Sequence, residues 1–408
     1  MDFVPRGAAY AGAPDNYGTE HTKSRIQVDE DKGITVFSPD TYSQGGLVRI
    51  AQDRITKPGT IADPTSDAAQ KGARKPDPKA KGLQIWYEVH GNGPQKIVLI
   101  MGLNNSGFGW LGQVEHFARD PRYSVLVLDN RGYGNSETPT AMEGYKTSEM
   151  ALDVLEVCDH LGWKEKRQLH ITGVSMGGMI SLEVARKAPE RIASLSLLST
   201  TSGQARGQKS IVTGLPPTAA VKMITRLLGG KWLGMDSDEY RVQRVAETLF
   251  PKAWLDAKDD HDPKNRSRRE NMQELFMWRF HFVRRQHPTG ALGQIRAAST
   301  HHVPNAVLLT IDSSVPSILI ATGDDDNLVK PGNSRHLAKW LPHAKLVEMK
   351  GVGHAIQLQE TDKLNTLLEE NYKEGWEKTK DERGVEAAGE DLPASRLGTK
   401  AHWDQVYQ

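Results

Sequence analysis

From residue 83 onward, apolar positions recur in two alternating rhythms. "LQIWYEVHG" puts Leu83, Ile85, Tyr87 and Val89 on one side of an extended chain, and after "GNG" the run "KIVLIMG" is apolar almost throughout. The two read as paired strands about a tight turn. "YSVLVLDNRG" is a continuous apolar stretch of strand length, which a strand buried on both faces requires. "TSEMALDVLEVCDHLG" changes to helical spacing, with Thr147 or Ser148 as its cap and Gly162 closing it. Then "LHITGV" predicts a strand, "GGMISLEVARKA" a helix stopped by Pro189, and "IASLSLLST" a strand again. Strand texture returns in "VPSILIATG" and "AKLVEMKG", and "ETDKLNTLLEENYKEGWEKTKDERG" predicts a closing helix with a polar end.

Strands separated by helices pair in parallel through right-handed crossovers, so the expected fold class is α/β: a mostly parallel twisted sheet with helices on both faces. Such sheets carry their chemistry at the carboxyl ends of their strands. The alternation lapses over residues 203–300, where "VKMITRLLGG", "DEYRVQRVAETLF" and "RRENMQELFMWRFHFVRRQ" are helical, amphipathic and charged. We therefore expect a core over 83–202 and 301–380, a helical insertion over 203–300, and a polar tail over 381–408. Residues 1–82 read as a largely flexible extension, because "DRITKPGTIADPTSDAAQKGARKPDPKAKG" is rich in Pro, Gly and charge. Within it, "ITVFSPDTYSQGGLVRIA" reads as a short hairpin.

Composition narrows the partners more than the chemistry. The 408 residues are 38% apolar and 25% charged, a globular balance, and 52 Lys plus Arg against 51 Asp plus Glu leave no field favouring nucleic acid or an anionic membrane. No run reaches the roughly 18 apolar residues of a membrane span. The start, "MDFVPRGAAY", lacks a secretory apolar stretch. The single cysteine, Cys158, falls on the apolar stripe of its helix and reads as a core thiol, so a reducing, cytoplasmic setting is expected. The expected partner is a small-molecule substrate; nothing bears on oligomeric state.

One stretch carries chemistry. "ITGVSMGGM" ends a buried strand in Gly173-Val174-Ser175-Met176-Gly177 and opens a helix. The five-letter G-x-S-x-G pattern is common by chance, but this setting is the one in which a strained turn presents a hydroxyl. A serine alcohol needs a base to take its proton and an acid to orient that base. "MKGVGHAIQLQE" supplies His354 after the last strand; "IATGDDDNLVKP" supplies Asp324, Asp325 and Asp326 at the end of the one before it. His90, His160, His170, His301 and His302 read as packed or surface residues, and none has metal-ligand spacing, so no metal or cofactor is expected. Acyl transfer also needs backbone N–H donors where negative charge develops. Met176 N–H, at the start of the helix, is one candidate; Leu103 N–H, in "LIMGLNNSGFGW" after the first apolar core strand, is the other.

Together "MGLNNSGFGW", "DNRGYGNS", "GVSMGG", "GDDDNLVKP" and "GVGHA" resemble the α/β-hydrolase fold superfamily in its general serine-hydrolase branch, over about residues 83–375. The resemblance implies that the insertion is a helical cap and that the acid stands at the fourth place of G-x-x-D-x-x-V, which is Asp326, with Asp325 the alternative. It also gives Met101-Gly102 where the family usually has His-Gly, and makes "DNRGYGNSETP" a structural turn in which Arg131 pairs with a carboxylate. Relatives that open epoxides or remove halide carry aspartate at the elbow, so Ser175 disfavours those reactions. Cap residues Trp232, Trp254, Phe276, Trp278, Phe280 and Phe282 are candidates to line the pocket. The expectation is a serine hydrolase that forms an acyl-enzyme on an ester, lactone or thioester with an apolar acyl group. A carbon–carbon bond hydrolase, an aminopeptidase using Asp236, Asp238 and Glu239, and a ligand-binding protein with negligible turnover remain alternatives.

Overall fold

The computed structural model describes residues 27–29, 33–35, 37–54, 81–139, 141–203, 238–259, 262, 264–282 and 286–383. Ten strands occur among them. β1 (Gln27–Asp29) and β2 (Gly33–Ile34) form a separate antiparallel pair. The other eight make one sheet: β3 (Tyr42–Ile50), β4 (Leu83–His90), β5 (Gln95–Ile100), β6 (Tyr123–Leu128), β7 (Leu169–Val174), β8 (Ile192–Leu198), β9 (Ser317–Gly323) and β10 (Lys345–Met349). Their spatial order is β3-β4-β6-β5-β7-β8-β9-β10. β3 and β4 run antiparallel to their neighbours, and the remaining pairs are parallel.

Two expectations need correction. β4 and β5 do not pair, because β6 lies between them, antiparallel to β4 and parallel to β5. Every residue of β6 is buried. A strand apolar on both faces requires an interior place in the sheet, and that requirement overrides the hairpin that "GNG" suggested. Residues 42–50, read as part of a short hairpin within the extension, instead form the edge strand β3 paired with β4, with side chains of Val48 and Ile50 buried beside Ile85 and Leu83. The period-2 pattern of "LVRI" marks a half-buried strand.

Strand alternation separates two cores. Val98, Ile100, Leu126, Leu128, Ile171, Leu195, Leu197, Ile318 and Ile320 face α2 (Thr147–His160), α3 (Met176–Lys187), α8 (Asn305–Ser314) and α9 (Gly332–Trp340). Ile97, Leu99, Val125, Val127, Leu319 and Ala321 face α1 (Leu111–Phe117), α10 (Ile356–Gln359) and α11 (Thr361–Lys378). Most of these strand residues are wholly buried, each contributing roughly 1.5–3 kcal/mol of transfer free energy. β5 and β7 are neighbours, yet their following helices α1 and α3 pack on opposite faces. The loops after them therefore diverge, which opens a crevice at the carboxyl edge.

Between β8 and β9 the described chain is helical: α4 (Asp238–Leu249), α5 (Lys252–Asp256), α6 (Arg268–Phe282), α7 (Pro288–Ser299) and α8. Residues 204–237 of the expected insertion, including "VKMITRLLGG", lie outside the described residues, as do Trp232, Asp236 and the side chains of Asp238, Trp278, Phe280 and Phe282. The 384–408 portion of the tail does too. α2 begins at Thr147 with Lys146 as its cap residue and no capping side-chain bond. The Thr147 hydroxyl is instead 2.8 Å from Nδ1 of His301, so a tertiary contact takes the group that a cap would have used.

Candidate active site

Ser175 occupies the turn between β7 and α3 at φ 58°, ψ −122°. A non-glycine residue there is strained by on the order of 1–3 kcal/mol and persists only when its surroundings hold it. Here they do so from both sides: its N–H donates to Leu198 O at 2.9 Å, and its carbonyl accepts from Thr200 Oγ1 at 2.6 Å and Gly178 N at 3.0 Å. The flanking glycines are steric necessities. A Cβ on Gly173 would lie 2.3 Å from Gly177 O, and one on Gly177 would lie 2.0 Å from Ile100 O. Val174 and Met176 are buried while Ser175 is partly exposed, so the turn lifts one side chain out of the packed layer.

The structure separates the three aspartates after β9. Asp324 and Asp325 are exposed; Asp324 accepts from Gly351 N–H, and Asp325 accepts from the Asn327 side chain. Asp326 is buried. Its Oδ2 lies 2.8 Å from His354 Nδ1, and its Oδ1 accepts the Leu328 and Val329 N–H groups at 2.8 Å each. A carboxylate oxygen can only accept, so the donor in this contact is an Nδ1–H. β9 and the His354 loop are in close contact, since a Cβ on Gly323 would lie 2.0 Å from Val352 O. Ser175, Asp326 and His354 thus follow the carboxyl ends of β7, β9 and β10 on one edge of the sheet.

The loop after β5 reaches the serine from the other side of the crevice. A Cβ on Gly102 would be 3.0 Å from Ser175 Cβ and 3.5 Å from Ser175 Oγ. Among the described residues, neither Leu103 N–H nor Met176 N–H donates to a protein acceptor. Met101, in the place of the usual histidine, is anchored by its carbonyl, which accepts from Asn130 Nδ2 at 2.8 Å. Asp129 accepts from Gly107 N–H and Asn135 N–H. Arg131 donates Nε and Nη2 to the two carboxylate oxygens of Asp153 at 2.6 and 2.5 Å, both side chains buried. The "DNRG" turn is therefore a brace for the loop, with Arg131 in the carboxylate pair that the sequence predicted.

Two contributions from the helical segment were not foreseen. His354 N–H donates to Leu249 O, the last residue of α4, at 2.8 Å. Gln294 on α7 accepts from Asn104 N–H at 3.0 Å. Next to Leu249, Phe250 stacks on Trp254 with ring centroids 4.8 Å apart and on Phe276 at 6.4 Å, so these aromatics form a packed cluster beside the His354 loop. Neither contact has a local sequence signal, because a carbonyl is common to every residue and a lone glutamine marks nothing.

The remaining candidates are structural. Cys158 is fully buried, and burial pushes its thiol up to about 12. His170 and His301 are buried and held neutral, with burial the larger cause and nearby cations adding to it; each is lowered to about 3. Among the described residues no group of three or more His, Cys, Asp or Glu side chains could hold a metal ion, and no helix is long and apolar enough to cross a membrane.

The family model described as alpha/beta hydrolase fold matches residues 96–361, well over half of the chain. A protein of Stutzerimonas stutzeri (strain A1501), provisionally named carbamate hydrolase RutD, is 29% identical over 289 residues, covering 69% of this chain and 94% of that relative. A thermophilic esterase from Thermogutta terrifontis superposes with a TM-score of 0.56 at 18% identity, over 78% of this chain and 98% of its own. The enol-lactonase from Burkholderia xenovorans LB400 gives 0.55 at 21% identity, over 72% and 97%. At such identities the solved structures speak to the fold.

Proposed function

The chain belongs to the alpha/beta hydrolase fold family, and we propose that within it the protein is a cofactor-independent serine hydrolase. The observation that carries this reading is the strained, partly exposed Ser175 on the same sheet edge as the buried Asp326–His354 pair. Ser175 Oγ attacks a substrate carbonyl as His354 Nε2 takes its proton. Asp326, fixed by two backbone N–H donors, holds the imidazole in the tautomer that can accept and steadies the cation that forms. The oxyanion sits between Leu103 N–H and Met176 N–H, one donor being worth roughly 10²–10³ in rate. The intermediate collapses as His354 returns the proton to the leaving group. Water, deprotonated by the same imidazole, then attacks the acyl-enzyme; the acid leaves, and the proton goes back to Ser175.

Carboxylic esters, lactones and thioesters with an apolar acyl part are the substrates this reading favours, supported by the aromatic cluster beside His354. The helical segment between β8 and β9 acts as the cap. Carbamates belong in the same panel, because their carbonyl reacts by the same addition and a relative covered over nearly its whole length carries that name. A fluorophosphonate probe tests the nucleophile: it should label the native protein and not Ser175→Ala, whereas labelling of both would overturn the assignment. A p-nitrophenyl ester series of graded acyl length, run beside an aryl carbamate, then ranks the acyl groups.

A further inference from the structure

The helical segment reaches the loop after β5 through one buried amide. Gln294 is wholly buried on α7, and each polar atom of its side chain is used. Its Oε1 accepts from Asn104 N–H at 3.0 Å and from Gln286 Nε2 at 2.9 Å, and its Nε2 donates to Arg131 O at 3.0 Å. Gln286 Nε2 also reaches Gly132 O at 3.1 Å. α7 comes close enough for these bonds because glycine meets glycine: a Cβ on Gly290 would lie 2.2 Å from Gly132 O. A single side chain thus ties the loop after β5 to the turn after β6, itself locked by the Arg131–Asp153 pair.

Peptide planarity gives this tie a consequence for the donor geometry. Each peptide unit is rigid, so a bond to its N–H or C=O fixes the whole plane. Asn130 fixes the Met101–Gly102 plane through Met101 O, and Gln294 fixes the Leu103–Asn104 plane through Asn104 N–H. The Gly102–Leu103 plane, whose N–H points toward the oxyanion in the reading above, is held between them. Asn104 sits at φ 55°, a left-handed conformation that asparagine tolerates, and its N–H is the one Gln294 holds.

We infer that Gln294 is a positioning residue for the oxyanion hole, aiming Leu103 N–H by holding the next peptide. This rests on the serine-hydrolase reading and adds that the helical segment belongs to the catalytic framework. Gln294→Met keeps the volume and removes every bond. With p-nitrophenyl acetate its kcat should fall about 10–100-fold, since small misplacements of catalytic groups cost up to about 10², while KM stays near the native value. Inhibition by phenylboronic acid, whose serine adduct is tetrahedral, should weaken in step. Arg296→Met is the comparison, because Arg296 ties the same helix to Met142 O and Tyr145 O without touching Asn104; it should lower the melting temperature and spare kcat. Native kcat and boronate affinity in Gln294→Met, or an equal loss of kcat in both variants, would overturn the inference. Amide exchange over residues 103–106 reads the tie without any turnover: it should accelerate in Gln294→Met alone, and unchanged exchange would also overturn it. Full activity in Ser175→Ala would instead remove the serine-hydrolase reading, so the two failures are distinguishable.

Discussion

The carboxyl edge of the sheet and the helical segment above it meet at the same site by different means. On the edge, Ser175, Asp326 and His354 each follow a strand, and in the proposed mechanism their side chains carry the chemistry. From the helices come a main-chain carbonyl, Leu249 O, and an amide, Gln294, that hold loops in place. In the proposed mechanism the reacting groups sit on the sheet edge, and the groups that aim them come from a segment inserted far along the chain. On that reading the site divides reactivity from alignment, and substitutions on the two sides should differ in kind as well as in size.

The largest effects belong to the edge. Ser175→Ala or His354→Ala should cut kcat for p-nitrophenyl acetate by on the order of 10⁶ with the melting temperature retained. Survival of more than a small fraction of the rate in either would erase the division. Asp326→Asn should cost about 10⁴, because an amide favours the wrong imidazole tautomer; Asp325→Asn, on an exposed side chain, should leave the rate near native. An inverted result in that pair would transfer the orienting role to Asp325.

Next come the supports. Arg131→Met leaves the buried Asp153 carboxylate without its bidentate partner, although Arg54 Nη2 still reaches Asp153 Oδ1 at 2.9 Å. Stranding a buried charge costs about 3–5 kcal/mol, and the retained Arg54 contact should hold the loss to the lower part of that range. Chemical denaturation reads it. Gly177→Ala forces a Cβ against the Ile100 carbonyl, a backbone group that cannot step aside, and overpacking of this kind costs about 1–3 kcal/mol. It should also depress kcat, since the elbow itself must shift. A Gly177→Ala protein of native stability and rate would show that the bend tolerates a side chain.

What could be read in advance follows the same division. The strands announced themselves by period and the elbow by two glycines, because burial on both faces and a crowded turn leave few acceptable residues. "GVGHA" and "GDDDN" could be paired in advance because the serine-hydrolase reading asks for partners at strand ends, and the structure sets His354 Nδ1 2.8 Å from Asp326 Oδ2. Strand neighbours were less legible: "GNG" favours a hairpin locally, and only the need to bury both faces of "YSVLVL" puts β6 between β4 and β5. Gln294 and Leu249 were invisible, since their partners lie 190 residues away for Asn104 and about a hundred for His354 and neither has a distinctive composition. Phe250 escaped as well, although its neighbours Trp254 and Phe276 were singled out.

The last prediction concerns acid and compares the two regions directly. His170, on β7, lies with Nδ1 2.8 Å from Ser194 Oγ and Nε2 3.2 Å from Gln95 Oε1; His301, where the helical segment returns to the core, pairs with Thr147. Burial lowers both from 6.5 to about 3. The folded protein therefore refuses a proton that the unfolded chain accepts, so each histidine's contribution is fully present above pH 6.5 and is lost as pH falls toward 3. The slope is about 1.4 kcal/mol per pH unit per histidine. His170→Asn should lower stability at pH 7 by removing buried hydrogen bonds, and it should flatten the acid slope between pH 6 and 4 by one proton. His301→Asn should flatten it by the same amount if unfolding is a single transition. If only His170→Asn changes the urea midpoint's slope, the helical segment opens before the sheet does, and the part that aligns the site is then also the part that first lets go of it.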